Sequence, residues 1–163
     1  MSVPKLLTGV NVKSVQDHYS PLFCHCYGCG PANVKGHRLK SFIQDGQAVA
    51  RFTLAIEYTG GFPDKVYGGM LASLLDCHGA ATAAGLACIE ECGELREGLN
   101  GIRFVTASLK VDFKLPTPIG EELILTGELA SLNGRKADVY LTLSVNEQVC
   151  VTGSMLAIAL PRI

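Results

Sequence analysis

From residue 105 onward the apolar positions fall on every second residue. Val105, Ala107, Leu109, Val111, Phe113 and Leu115 alternate with Thr106, Ser108, Lys110, Asp112 and Lys114. Period two over such a stretch predicts a long strand with one face buried, and Pro116, Pro118 and Gly120 end it. A second apolar stretch runs from Leu123 to Leu132 and meets Asn133-Gly134, a strong hairpin signal. The third strand places Ala137, Val139, Leu141, Leu143 and Val145 on one face and Asp138, Tyr140, Thr142 and Ser144 on the other. Asn146-Glu147 then turns the chain into a fourth strand from Val149 to Leu160. Upstream, Arg38 to Ile43 and Gln47 to Ile56 flank Asp45-Gly46 and read as another hairpin.

Between these β regions the pattern changes. Tyr67 to Ile89 opens on a glycine pair and continues as an Ala- and Gly-rich apolar run without strand alternation, which predicts one long helix. The run is long enough to raise a membrane span. Asp76 near its middle, and Glu90 and Glu91 directly after it, favour a buried central helix instead.

Hairpin, helix and four antiparallel strands together predict an α+β fold, an antiparallel sheet of about five or six strands wrapped around one long central helix. Residues 1–163 read as a single domain with 1–23 as an N-terminal extension, and no internal repeat or low-complexity segment interrupts it. A sheet of this kind leaves edges and a helix flank to cover, so a homo-oligomer, dimer or tetramer, is expected.

Composition removes several partner classes. Net charge is -1, the sequence pI is about 6.4, and Lys and Arg are scattered without a basic stripe. Neither nucleic acid nor an anionic membrane surface is an expected partner, and a small molecule is. The segment from Met1 to Leu7 lacks the apolar core and cleavage pattern of a signal peptide, so a cytoplasmic location is expected. The seven cysteines, an odd count, then read as thiols rather than a disulfide framework.

Asp76 is the single formal charge inside the apolar run. An unpaired buried charge costs several kcal/mol, so a carboxylate here needs a reason, and general-base or nucleophilic chemistry at a cleft supplies one. A structural reason, such as a pairing across a subunit interface, is the alternative. His78 lies two residues further on and does not share the Asp76 helix face, so a packed or interface histidine is expected.

Four stretches, in order, carry a resemblance to a known family. They are Cys26 to Gly36 (Cys-Tyr-Gly-Cys-Gly-Pro-Ala-Asn-Val-Lys-Gly), Tyr58 to Gly69, Leu75-Asp76, and Val105 to Pro116. Over about residues 24–160 the chain resembles the hotdog-fold acyl-CoA thioesterases of the PaaI-like group. The resemblance implies a hotdog fold, a dimer or tetramer, and hydrolysis of the thioester of a coenzyme A conjugate with no metal or other cofactor. The family motif is His-Gly-Gly followed by a helical Asp, and the matching positions are Tyr67, Gly68, Gly69 and Asp76. By that match the Gly68 N–H polarises the thioester carbonyl, Gly69 lies against substrate, Asp76 is base or nucleophile, and Thr106 positions water.

Tyr67 replaces the family's His. Tyrosine is a poor base at neutral pH, although its hydroxyl can donate a hydrogen bond to a thioester or to a water. The substitution leaves open a relative with altered or lost activity, a non-catalytic hotdog module that binds acyl or aromatic ligands. Thr106 has an ordinary alternative too, as a strand residue.

Helix geometry constrains the site independently of the resemblance. A helix N-terminus offers unpaired N–H groups and partial positive charge to a developing oxyanion. Asp76, however, is ~12 Å of helix rise from Gly68, and reacting groups must approach within about 3.5 Å. One chain cannot supply both, so the expected site pairs Gly68 of one subunit with Asp76 of its neighbour.

Other candidates lie outside this motif. Cys26 and Cys29, with Cys24 or His37, have the spacing of a zinc knuckle, and a zinc-stabilised interaction domain is the rival reading. Cys77, Cys88, Cys92 and Cys150 read as small buried apolar residues. Arg135 and Lys136 beside the hairpin turn are candidates for coenzyme A phosphates, with solvated turn charges as the plainer explanation. The connection from Ile89 to Phe104, carrying Glu90, Glu91, Glu94 and Glu97, either caps the substrate or is a solvated surface.

Overall fold

The computed structural model describes residues 12–162, and the reading of Met1 to Leu7 lies outside the described residues. The chain forms β1 (Ser41–Gln44), β2 (Gln47–Thr53), α1 (Gly68–Cys92), β3 (Phe104–Phe113), β4 (Glu122–Asn133), β5 (Lys136–Val145) and β6 (Gln148–Ala159). All six strands join one antiparallel sheet in the order β1-β2-β4-β5-β6-β3, and α1 packs against every one of them. This is the hotdog arrangement, with the helix as the filling and β1 and β3 as the two edges among the described residues.

The Ala- and Gly-rich composition lets α1 sit close to the sheet. A Cβ at Gly127 on β4 would land on the Thr82 side chain, and one at Gly79 would come within 2.6 Å of Met155 Cε on β6. Thr82 causes no polar penalty, because its hydroxyl donates to the His78 carbonyl at 2.7 Å. The helix runs three residues beyond the expected end and stops at Gly93, whose φ of 79° allows its N–H to bond Ile89 O at 2.7 Å. By length and composition α1 could cross a membrane, but 67% of its most apolar window is buried inside the protein.

Two of the three two-residue hairpin turns have the central residues that the sequence predicts, and the third is shifted by one. Asp45 and Gly46 have φ of 50° and 78°, as a type I′ turn requires, and Asn146 and Glu147 do the same at 48° and 64°. The Asn133-Gly134 signal works one residue later than its usual form. Asn133 still pairs with Lys136, and the central residues are Gly134 and Arg135.

The strict alternation predicted for residues 105–115 is broken. Val105, Ala107 and Phe113 are exposed, while Phe104 is buried and Thr106 half-buried. The cause is a bulge: Thr106 pairs with Ala157 and Ser108 with Leu156, leaving Ala107 without its own partner. One extra residue switches the faces, so Phe104 and Thr106 point inward before the bulge, and Leu109 and Val111 pack on the core after it.

The described part of the N-terminal extension belongs to the core. A single turn at Val15–His18 is capped by Ser14 and Asp17, which bond reciprocally, and Val15 and Gln16 are buried. Gln16 Oε1 accepts from the Ser41 N–H at 2.7 Å, and Ser41 Oγ lies 2.8 Å from His78 Nδ1. His78 Nε2 meets Ala48 O at 3.3 Å. The histidine is therefore a packed residue tying α1 to β1 and β2, and burial pulls its pKa down to about 4.

Candidate active site

The loop before α1 is held from two sides. Tyr67 N–H donates to Tyr58 O at 3.0 Å, Val66 N–H to Thr117 O at 2.9 Å, and Ile119 N–H to Asp64 O at 3.0 Å. Gly68 thus begins the helix at a fixed position, and the N-cap residue, Tyr67, offers no side-chain bond to the first turn. Met70 N–H turns back to Tyr67 O at 3.1 Å, and a helix start without a side-chain cap carries unpaired N–H groups and partial positive charge.

A groove of about 320 Å³ runs along this terminus, with Gly68, Leu71, Phe62 and Phe113 providing apolar walls and Lys65 and Lys114 charge. Phe113 closes tightly on Gly68, since a Cβ there would lie 3.2 Å from the ring. Tyr67 is half-exposed and folds over the glycine pair, so that a Cβ on Gly69 would collide with its phenol.

Asp76 sits two helical turns further on, half-buried on the flank of α1 that faces β3. Thr106 Oγ1 donates to Asp76 Oδ1 at 2.6 Å, which holds one carboxylate oxygen. The bulge at Ala107 makes this bond possible, because without it Thr106 and the core-facing Leu109 would lie on opposite faces. Among the described residues β3 pairs only with β6, so this pair lies beneath an edge of the sheet.

The expected site residues therefore form two groups within one chain. Tyr67, Gly68 and Gly69 share the helix N-terminus, and Asp76 in the middle of α1 meets Thr106 on β3. Arg135 and Lys136 join neither. Their turn adjoins the C-terminal end of α1, where Gly134, Glu90, Glu91 and Arg162 line a separate cavity of about 270 Å³, and Arg135 Nε donates to Ala159 O at 2.8 Å. Glu91 is engaged with Arg162 and, at 2.8 Å, with Asn100. Lys65 and Lys114 were not singled out from the sequence, although Lys65 lies inside the motif from Tyr58 to Gly69.

The expected zinc ligands also rearrange. Cys24 Sγ donates to Ser20 O at 3.2 Å, and His37 is held edge-on among Tyr27, Phe52 and Tyr58 at 5.0, 5.8 and 5.1 Å. Neither joins Cys26 and Cys29. Cys77 does, with its sulfur 3.7 Å from that of Cys26, so it is a member of a thiol cluster rather than a mere apolar filler. The bond from Cys77, together with N–H groups of Cys29 and Gly28, lowers the Cys26 thiol to about 5, while the bonds Cys77 makes to Cys26 and Cys29, then its burial, push its own pKa up.

The family model of the thioesterase superfamily matches residues 64–152, which contain the glycine pair, Asp76 and Thr106. The chain belongs to the thioesterase superfamily. A thioesterase superfamily protein from Shewanella loihica is 38% identical over 90% of this chain and 99% of its own, with a TM-score of 0.66. Two more distant solved structures share the architecture. The E. coli PaaI protein from the phenylacetic acid degradation operon is 16% identical over 77% of this chain and 82% of its own, TM-score 0.62. A Streptococcus mutans protein bound to acetyl CoA is 13% identical over 76% of this chain and 90% of its own, TM-score 0.58. No functionally curated protein matches the chain.

Proposed function

We propose that this thioesterase superfamily member hydrolyses the thioester of a coenzyme A conjugate at a site shared between two subunits. The observation that carries the reading is the Thr106–Asp76 hydrogen bond, which gives the helix carboxylate a fixed orientation with one oxygen left for chemistry. Asp76 acts as general base on water or as nucleophile on the thioester carbon, and the Gly68 N–H of the partner subunit stabilises the oxyanion. Asp76 lies under the β3 edge, where a second copy can bring its own helix N-terminus close. The groove at Gly68 is apolar enough for an acyl group, and Lys65 and Lys114 suit the phosphates of coenzyme A better than Arg135 and Lys136, which lie at the far end of the helix. The acetyl CoA found in the Streptococcus mutans relative supports the ligand class.

Tyr67 favours one other reading. Its phenol covers Gly69 where the family's His stands, which would suit a module that binds acyl-CoA without cleaving it. A thiol-release assay against short-chain, long-chain and aryl coenzyme A esters separates the two. Turnover by the wild type and its loss in Asp76→Asn is expected, and acyl-CoA binding without turnover in the wild type would establish the non-catalytic reading instead.

A further inference from the structure

Three thiols from two distant parts of the chain meet at one point outside the candidate active site. Cys26 and Cys29 belong to the tight loop after Phe23, and Cys77 projects from the middle of α1. Their sulfur atoms all lie within 4.8 Å of one another. We propose that Cys26, Cys29 and Cys77 bind a divalent ion of the zinc class as three thiolate ligands, with water in the fourth tetrahedral position.

The spacing fits an ion better than it fits a disulfide. Sulfurs each ~2.3 Å from a tetrahedral zinc stand about 3.8 Å apart, and the Cys26 and Cys77 sulfurs are 3.7 Å apart. A disulfide would require them to close to about 2.05 Å and would leave the third thiol without a role. The loop is also built for a bound thiolate. Gly30 N–H donates to Cys26 O at 2.8 Å, closing the turn, and the N–H groups of Gly28 and Cys29 are directed at the Cys26 sulfur. Gly28 has no alternative side chain, because a Cβ there would collide with Cys77 Sγ. A Cβ on Gly30 would likewise run into the backbone of Cys24 and Cys26.

The ion would have mechanical work to do. Residues 24–40 contain no helix or strand, and three sulfurs on one metal tie this irregular segment to α1 beside Asp76. Free energy of metal binding becomes free energy of folding for such a segment. The ion thus acts as a tether between loop and helix, and its loss loosens the hold of residues 24–40 on α1.

The test uses the full chain, purified with a phosphine reductant and without chelator. Elemental analysis should find about one zinc per chain in the wild type and in Cys92→Ser, a control outside the cluster. Cobalt added to the demetallated wild type should give thiolate charge-transfer absorption and tetrahedral ligand-field bands, both weakened in Cys26→Ser and Cys77→Ser. Removing zinc should lower the melting temperature of the wild type by several degrees. Cobalt titration of the wild type needs no variant to fold. The proposal is overturned if wild-type protein, folded by circular dichroism and with its thiols reduced, takes up less than about a tenth of an equivalent of either metal. A cobalt spectrum unchanged in Cys77→Ser overturns it equally, by removing the helix thiol from the ligand set.

Discussion

The hydroxyl of Thr106 and the carboxylate of Asp76 are 2.6 Å apart, on elements 30 residues apart in the chain. The bond positions one carboxylate oxygen without neutralising it, as a base or nucleophile needs. Thr106→Val keeps the shape and removes the donor. It should reduce kcat on a turned-over acyl-CoA about tenfold with KM nearly unchanged, since the substrate is still bound while the carboxylate is misplaced. Thr106→Ser keeps the hydroxyl and should recover most of the rate. A loss in KM alone, or no recovery by serine, would remove the positioning role.

The distance between Gly68 and Asp76 along α1 makes a second expectation concrete. Gly68→Pro deletes the oxyanion N–H at the first helical position, where the backbone accepts proline because Tyr67 already has the extended φ and ψ of -70° and 134° that it requires, while the Phe113 ring, 3.2 Å from where a Cβ would stand, has to shift to admit it. Gly68→Pro and Asp76→Ala homodimers should both be nearly inactive. A purified heterodimer of the two chains contains one intact pair out of two and should recover about half of wild-type activity. An inactive heterodimer, shown to be assembled by size-exclusion chromatography, would place both groups in one chain's site and refute the sharing.

Much of this was readable in the sequence because it depends on local pattern. The helix, the strands and the three hairpin turns follow from periodicity and from Asp45-Gly46, Asn133-Gly134 and Asn146-Glu147. What was not readable depends on pairing across elements. The bulge at Ala107 is invisible in a perfectly alternating string, yet it alone puts Thr106 on the helix side of β3. Cys77 looked like an ordinary small residue in an apolar helix, since nothing local reveals that a loop 51 residues away brings Cys26 to it. Lys114 falls at a solvent-side position of the alternation, and the groove at Gly68 recruits it only because the chain turns after Phe113.

His78 predicts a specific acid sensitivity. Its folded pKa of about 4 lies below the ordinary value of 6.5, because burial disfavours the charged ring. As pH falls below about 6.5 the unfolded chain takes up the proton first, so stability is lost between about pH 6.5 and 4, by up to about 3 kcal/mol. Asp17, whose pKa is lowered chiefly by the bond from Lys40 acting against desolvation, adds a loss at more acid pH that remains in every variant. Urea unfolding at neutral pH and near pH 4.5 should show a smaller decline for His78→Gln than for the wild type. Parallel declines would show that the buried imidazole is not the group responsible.

Glu147 offers a test of backbone rather than chemistry. It occupies the second central position of the type I′ turn between β5 and β6 with φ 64°, the left-handed region in which a Cβ is unfavourable by about 1 kcal/mol. The side chain has no hydrogen bond or ion pair among the described residues to offset that strain, and it is exposed. Glu147→Gly should therefore stabilise the protein by about 0.5–1 kcal/mol, the relief of strain exceeding the extra freedom glycine gives the unfolded chain. For a chain of this size that corresponds to a rise in melting temperature of about 1–4 °C. The replacement of Val145 by glycine, where φ is not positive and the side chain is 4% exposed, should destabilise, because it removes buried volume and adds backbone entropy. Calorimetry on the pair decides the point: if both variants melt below the wild type, the left-handed turn is not a site of stored strain.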